Sequence, residues 1–241
     1  MPNPVKIFDH FLRKFFKRNL NSTHQDWLGR TKPFSNQFGL DRGAAIDRRF
    51  MEKFLAAHQD DISGHVLEIG DDQYTYQFGR DLKQTTILAG AARSSRSFCY
   101  PNGDLTNHQD LEELGRQNCV IATNVLNFIF DTESAVKGLA YLVEPSRGCV
   151  LATLAGLCQV SRSDYERWGD YWRFTDMSVR RVFDTYFEQV EVTAYGNAPL
   201  AAAFIMGLSQ EEVPESLFEH CDSDYQILIS VRASKPKFTE S

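Results

Sequence analysis

Apolar residues recur along this chain with two spacings. Ile46, Phe50, Met51, Phe54 and Leu55 fall three or four residues apart and predict one face of a helix that ends near His58. After the Ser63-Gly64 turn, Val66-Leu67-Glu68-Ile69-Gly70 is a short run closed by glycine, as a buried strand is. Thr85–Ala89 and, more weakly, Ser97–Tyr100 predict two further strands. A helix follows from about Asn107 through Leu111 and Leu114, and Cys119–Thr123 predicts a fourth strand. Asp131 stands where it would cap a helix bearing Val136, Leu139, Leu142 and Val143, which Glu144-Pro145-Ser146-Arg147-Gly148 stops. Gly148–Leu154 predicts the fifth strand. Thr175-Asp176 opens a helix with Val179, Val182, Phe183, Tyr186 and Phe187 on its buried face, leading into a strand at Val190–Ala194, and Tyr225–Val231 predicts the last strand.

Strands alternating with helices of this length predict an α/β fold, a mostly parallel sheet covered on both faces and doubly wound in the Rossmann-like manner. The length of 241 residues suits one such domain, expected over residues 45–234, with a tail at 235–241. Ahead of it, residues 1–44 divide into two parts. Ile7, Phe8, Phe11, Leu12, Phe15 and Phe16 mark one face of an amphipathic helix whose other surface carries Lys6, Arg13, Lys14, Lys17 and Arg18. Residues 21–44 are polar, are broken by Gly29, Pro33, Gly39 and Gly43, and read as a loop or lid.

Charge changes what that leader means. The chain carries a net −6, but its first 18 residues hold five basic groups against Asp9, a net +4 that leaves −10 on the rest. An acidic body is a poor surface for polyphosphate, so nucleic acid is not expected as a partner. The basic helix would dock on the protein's own core, on a second subunit in a homodimer, or on an anionic bilayer. No apolar run approaches the roughly 20 residues that span a membrane, and no signal-peptide pattern precedes residue 20. The five cysteines are odd in number, widely spaced and without a C-x-x-C, which reads as small buried hydrophobes in a reducing cytoplasm, with no metal site.

In a doubly wound sheet, ligands bind beyond the carboxyl ends of the strands where strand order reverses. The residues that follow each strand are therefore the candidates. After the first strand, Gly70 permits a tight turn and close approach to a ligand, with Asp71 beside it. After the third, Asp104 of Gly103-Asp104-Leu105 is suited to accept from an exocyclic amine. After the fourth comes Asn124-Val125-Leu126-Asn127. After the fifth, Ser161–Thr175 overhangs the crevice with Asp164, Tyr165, Trp168, Asp170, Tyr171, Trp172 and Arg173, a set suited to grip a polyhydroxylated or anionic acceptor. His24 and His108 are weaker candidates.

These residues lie in a sequence that resembles the class I S-adenosylmethionine-dependent methyltransferases over most of residues 41–232. The resemblance is carried by V-L-E-I-G at 66–70, G-D-L-T at 103–106, E-P-S-R-G at 144–148 and the closing order of helix, strand, apolar helix near 199–208 and strand. R-W-G-D-Y-W-R-F-T at 167–175, with D-R-G-x-x-I-D-R at 41–48 and D-D-x-Y-T at 71–75, looks like a bacterial subgroup associated with glycan and cell-surface biosynthesis. The resemblance implies a seven-stranded sheet with an antiparallel last strand and S-adenosyl-L-methionine as cofactor. It places Gly70 at the methionine portion, Asp104 at the adenine amine and Asn124 to Leu126 on the methyl side, with Glu68, Asp71 and Leu105 as further cofactor-binding residues. Arg42 and Asp47 are candidate cofactor clamps, Arg42 for the methionine carboxylate, or else an Asp–Arg pair that fixes the entry to the first core helix. Asp170 is the candidate base or acceptor-orienting group, with Arg173 and Tyr171 beside it; the alternative is a packed cap in which the aromatics are core and Asp170 pairs with Arg173 through a local turn.

Two departures stand out. Asp72 and Tyr74 occupy the second and third glycine positions of E-x-G-x-G-x-G, and no Asp or Glu lies between Asp81 and Asp104 to hold the ribose, where Arg93 and Arg96 occur instead. The expected activity is methylation of a hydroxyl or carboxyl on a sugar, glycan intermediate or small metabolite. The alternative is an inactive methyltransferase-like scaffold with little cofactor binding. The expected location is cytoplasmic, at the inner membrane face if the leader binds lipid. Vesicles containing anionic lipid should then retain the full chain more than a chain lacking residues 1–20, measured by co-sedimentation; equal retention leaves self-docking or dimerisation.

Overall fold

The computed structural model describes residues 27–89, 95, 97–101 and 103–237, so the expected basic helix at 5–20, His24, Arg93 and Arg96 lie outside the described residues. Seven strands form one sheet: β1 (Ser63–Ile69), β2 (Arg80–Leu88), β3 (Ser97–Tyr100), β4 (Cys119–Thr123), β5 (Cys149–Ala155), β6 (Phe187–Tyr195) and β7 (Leu228–Pro236). Their order is β3-β2-β1-β4-β5-β7-β6. Strands β1 to β5 pair in parallel, and β7 runs antiparallel to both β5 and β6. This is the doubly wound, Rossmann-like sheet with an antiparallel last strand that the sequence led us to expect.

Alternation along each strand sends neighbours to opposite faces. Val66, Cys119, Ile121, Cys149 and Leu151 face one core, which is closed by α1 (Ile46–Ala57) and α7 (Ala198–Ile205) through Phe50, Phe54, Leu200 and Phe204. Leu67, Val120, Ala122, Val150 and Ala152 face the other, closed by α4 (Thr132–Leu142) and α6 (Asp176–Tyr186) through Val136, Leu139, Val179 and Phe183. Three of these helices begin where short polar side chains bind free amides, whereas α1 follows Ala45 without a side-chain cap. Asp131 accepts from Ser134 N, Asn197 accepts from Leu200 N, and Thr175 and Ser178 form a reciprocal capping box.

Three short helices complete the set: α2 (Gln73–Phe78), α3 (His108–Glu112) and α5 (Arg162–Arg167). The sequence pattern reveals α3 through Leu111 and Leu114 but not α2 or α5. The pattern also stops the last strand at Val231, whereas β7 continues to Pro236. Arg232 to Pro236 find partners in β5 and β6 that local sequence does not announce. Residues 34–45 do not stand away from the sheet. Phe34 N donates to Met206 O at 2.8 Å, and the Phe38 ring lies 5.9 Å from that of Phe204 on α7.

Gly138 shows how tightly α4 is seated, since a Cβ there would stand 2.0 Å from the Leu105 carbonyl oxygen. Alanine normally stabilises a helix interior by about 1 kcal/mol over glycine. Here displacement of the helix costs about 1–3 kcal/mol. Gly138→Ala should therefore lower the thermal unfolding midpoint followed by circular dichroism, and a raised midpoint would contradict this packing.

Candidate active site

The chain crosses from β1 to β2 on one side and from β4 to β5 on the other, so the connections leave a crevice at the carboxyl ends of β1 and β4. A cavity of about 320 Å³ occupies it. Its floor is Glu68 to Asp71 and Thr123-Asn124. One wall is Asp47, Arg48 and Met51 of α1 with Phe38 and Leu40, and the other runs from Ala155 through Cys158, Gln159 and Ser161 to Asp164, Asp170 and Arg173.

Gly70 follows β1 with φ +101°, a conformation that glycine adopts readily and an L side chain rarely does. A Cβ built there meets no atom within 4 Å, so the backbone at this point faces open cavity. Two residues back, Glu68 is 2% exposed and its carboxylate accepts from Tyr74 N at 3.1 Å and Thr75 N at 2.7 Å. These bonds satisfy amides in the first turn of α2 and fix the path after Gly70. Burial pushes the Glu68 carboxyl up to about 7, against the lowering effect of the Thr75 and Tyr74 donors. Its first role is thus to hold the loop.

Across the crevice, Asn124 follows β4 at φ +52°, with its amide donating to Thr153 O at 2.8 Å. Its side-chain amide donates to Asp47 Oδ2 at 3.1 Å, joining the β4 loop to α1. Burial raises the Asp47 carboxyl above the usual carboxylate range despite Arg48 and Asn124. The guanidinium of Arg48 has no hydrogen-bond or ion-pair partner among the described residues. By contrast, Arg42 is paired with both oxygens of Glu212 and does not line the cavity, so its expected role as a carboxylate clamp is not available to it here. Arg48, six residues further on, lines the cavity in its place.

The wall after β5 is built around Arg173. Its guanidinium donates to both oxygens of Asp170, at 2.5 and 2.9 Å, to Gln159 O at 2.7 Å and to Trp172 O at 2.8 Å. Ser161 N donates to Asp170 Oδ2 at 2.9 Å. Burial would raise the Asp170 carboxyl, but Arg173, Ser161 and Asn127 outweigh it and hold it below the usual range. A carboxylate so stabilised is a weak base, which shifts Asp170 from proton acceptor to orienting group. Tyr171 is half exposed outside the cavity, its ring packed edge-on against Phe130 at 5.5 Å. Burial pushes the Cys158 thiol up to about 11, so it lines the cavity as a neutral group.

Several expected residues lie elsewhere. Leu126 is fully buried in the core under α4, because the 3-10 turn Leu126–Phe128 points it away from the crevice and brings Asn127 in. Leu105 is likewise in that core. Asp104 is exposed outside the cavity, with Oδ1 accepting from Thr106 N and Oγ1 at 2.8 and 2.9 Å. Asp47, Glu68, Gly70, Asp71, Asn124, Asp170 and Arg173 are the expected residues that the fold brings together. Asn127 stands among the candidates after the fourth strand without a role, Arg48 only closes the D-R-G-x-x-I-D-R motif, and Gln159 has no mark in the sequence. A signal existed for Asn127, a polar residue between Leu126 and Phe128 and three positions from Asn124.

Among the described residues no His, Cys, Asp and Glu cluster could hold a metal, and no helix is long and apolar enough to cross a membrane. No protein-family model and no curated protein matches the sequence. Solved structures are similar in outline. The N-methyltransferase NodS from Bradyrhizobium japonicum WM9, in complex with S-adenosyl-L-homocysteine, is 14% identical over 92% of this chain and 98% of its own, with a TM-score of 0.48. A chain of the complex between the Haloferax volcanii Trm112 methyltransferase activator and a putative methyltransferase is 12% identical, covering 83% and 98%, at 0.48. The [4+2]-cyclase SpnF is 13% identical, covering 86% and 88%, at 0.49. Likenesses of this degree leave the chemistry to be argued from the residues.

Glu68 gives a pH signature. A carboxyl raised from 4.5 to about 7 on folding stabilises the fold fully below 4.5, and that contribution is lost as pH rises through about 7. Between these values the unfolding free energy of the wild type should fall by up to about 3 kcal/mol relative to Glu68→Gln. Denaturant titrations at several pH values would show it, and parallel profiles for the two proteins would refute it.

Proposed function

We propose that this chain is an S-adenosylmethionine-dependent methyltransferase acting on a small-molecule acceptor. The observation that carries the reading is Gly70: a positive-φ glycine after β1, at the reversal of strand order, opening without a side chain onto the cavity. The residues around it fit the methionine portion of the cofactor. Gly70 leaves room for close approach, Arg48 supplies a guanidinium suited to a carboxylate, and Asp47 and Asp71 are carboxylates suited to an ammonium. When bound, S-adenosylmethionine supplies an electrophilic methyl group.

The chain's own part is positioning and proton management. Asp170, fixed by Arg173 and Ser161, orients what enters beside it. Asp47 has its proton affinity raised by burial, which makes it the better proton acceptor of the two. Phe38, Leu40 and the wall from Cys158 to Ser161 narrow the access of water. The described lining weighs against a carboxylate acceptor, since it holds five carboxyl groups against two guanidiniums, and Arg173 and Asp170 neutralise each other. A hydroxyl of a sugar, glycan intermediate or other metabolite fits the lining better. A cytoplasmic location, with residues 5–20 at the membrane, is part of the same proposal.

Calorimetry with S-adenosylhomocysteine tests the reading. Wild-type protein should bind it, and Gly70→Ala should weaken binding at least about tenfold, a loss of about 1.4 kcal/mol. Absence of binding by the wild type at high micromolar ligand would leave the scaffold alternative.

A further inference from the structure

The cavity does not end at β1 and β4. It continues past β4 over the carboxyl end of β5 and the residue before β7, where Ala155 and Ile227 line it and Gly156 N donates to Ile227 O at 2.9 Å. The two parts differ in character. Over β1 and β4 the lining is polar, with Gly70, Asp71 and Asn124 beside Asp47 and Arg48 of α1. Over β5 and β7 it is Phe38, Leu40, Ala155 and Cys158, with Phe204 behind the Phe38 ring. Burial keeps the Cys158 thiol neutral, so it acts there as a small apolar group. The polar side chains of the same wall are held within it. Gln159 donates to Asn36 O at 2.6 Å, Ser161 Oγ donates to Asp164 at 2.5 Å, and Arg173 is paired with Asp170.

Phe38 is held at this place against its own backbone preference. Its φ is +58°, a left-handed conformation that is rare for a bulky residue and persists only where the surrounding structure enforces it. Gly39 follows at φ +81°, and a Cβ there would stand 2.6 Å from Leu208 O, so the turn is pressed against the chain beyond α7. The strain is kept where the half-buried Phe38 side chain lines the cavity. Leu40, two residues on, lines the cavity as well and is exposed. On the opposite wall Leu157 and Val160, on either side of Cys158 and Gln159, are exposed too, and the bond from Gln159 to Asn36 joins the two walls. Single exposed apolar side chains are ordinary, but gathered around a cavity they mark a surface for a ligand.

We infer that the acceptor is an alcohol with an apolar body, seated between Phe38, Leu40 and Cys158 over β5 and β7 with its hydroxyl turned toward Asp47. The inference rests on the methyltransferase reading for the word acceptor and deepens it. Among hydroxyl compounds it selects a hydrocarbon body over a sugar. Each methylene buried on this surface tightens binding, whereas each further hydroxyl set against it loses its water without gaining a partner.

The probes are 1-butanol, 1-hexanol and 1-octanol, with myo-inositol as the polyhydroxylated counterpart, titrated into the full chain with and without S-adenosylhomocysteine and followed by calorimetry. Affinity should rise about fourfold per added methylene along the series, and myo-inositol should not bind at millimolar concentration. Leu40→Asn, at an exposed position, and Phe38→Asn, in which asparagine suits the left-handed backbone, should each retain S-adenosylhomocysteine binding and weaken 1-octanol at least about fourfold. Met177→Asn, at an exposed apolar residue away from the cavity lining, should leave 1-octanol binding unchanged. The inference is overturned if affinity is flat along the series, if myo-inositol binds as tightly as 1-hexanol, if neither cavity variant weakens 1-octanol, or if Met177→Asn weakens it equally. Failure of the wild type to bind S-adenosylhomocysteine, with the alcohol series intact, overturns the methyltransferase reading alone.

Discussion

Arg173 donates four hydrogen bonds, two to Asp170 and one each to the carbonyls of Gln159 and Trp172, and so folds the segment after β5 back across the carboxyl end of the sheet. The bond to Gln159 extends further, because the Gln159 side chain donates to Asn36 O at 2.6 Å and ties that wall to the segment ahead of α1. Four bonds of this kind, two of them bidentate to a carboxylate, restrain a loop far more than an exposed ion pair would. The Asp170 side chain is almost fully covered, which limits the solvent screening that weakens surface pairs. The crevice between β1 and β4 acquires its second wall by this means.

The same commitment decides the electrostatics. A guanidinium that satisfies one carboxylate and two carbonyls has little left for a ligand, so the positive charge within the wall is internal. The other charged groups are disposed in a similar way. Glu68 is committed to the amides of α2, and Arg42 to Glu212 at the outer side of the segment that precedes α1. The groups left for chemistry are Arg48, the half-buried Asp47 and the backbone at Gly70. They are few and they lie close to the strand ends, which is where a doubly wound sheet places its ligand.

Much of this architecture is legible in the residues. Cys119–Thr123, Asp131 with the α4 periodicity, and Thr175 ahead of α6 mark elements whose ends are set by local chemistry, and the alternation of strand and helix leads to the parallel sheet. Gly70 and Asp47 emerge as site residues for a comparable reason: one is a glycine after a strand and the other opens a helix. Arg173 and Asp170 also declare themselves, as a ligand grip or as a local pair, since two opposite charges three residues apart do not reveal whether they serve each other or a guest.

What the sequence determined by itself was the order of elements, the faces they bury and the crevice to which the strand ends lead, because backbone sterics, capping and side-chain period are local or regular. Tertiary structure alone decided which polar groups stayed uncommitted. Arg42 was removed from the site by Glu212, 170 residues away in sequence, Leu126 was turned into the core, and Asn127 was brought to the cavity with its oxygen unpaired. Such outcomes depend on distances between segments remote along the chain, and hydrogen bonds and ion pairs are too short in range for composition or spacing to record them.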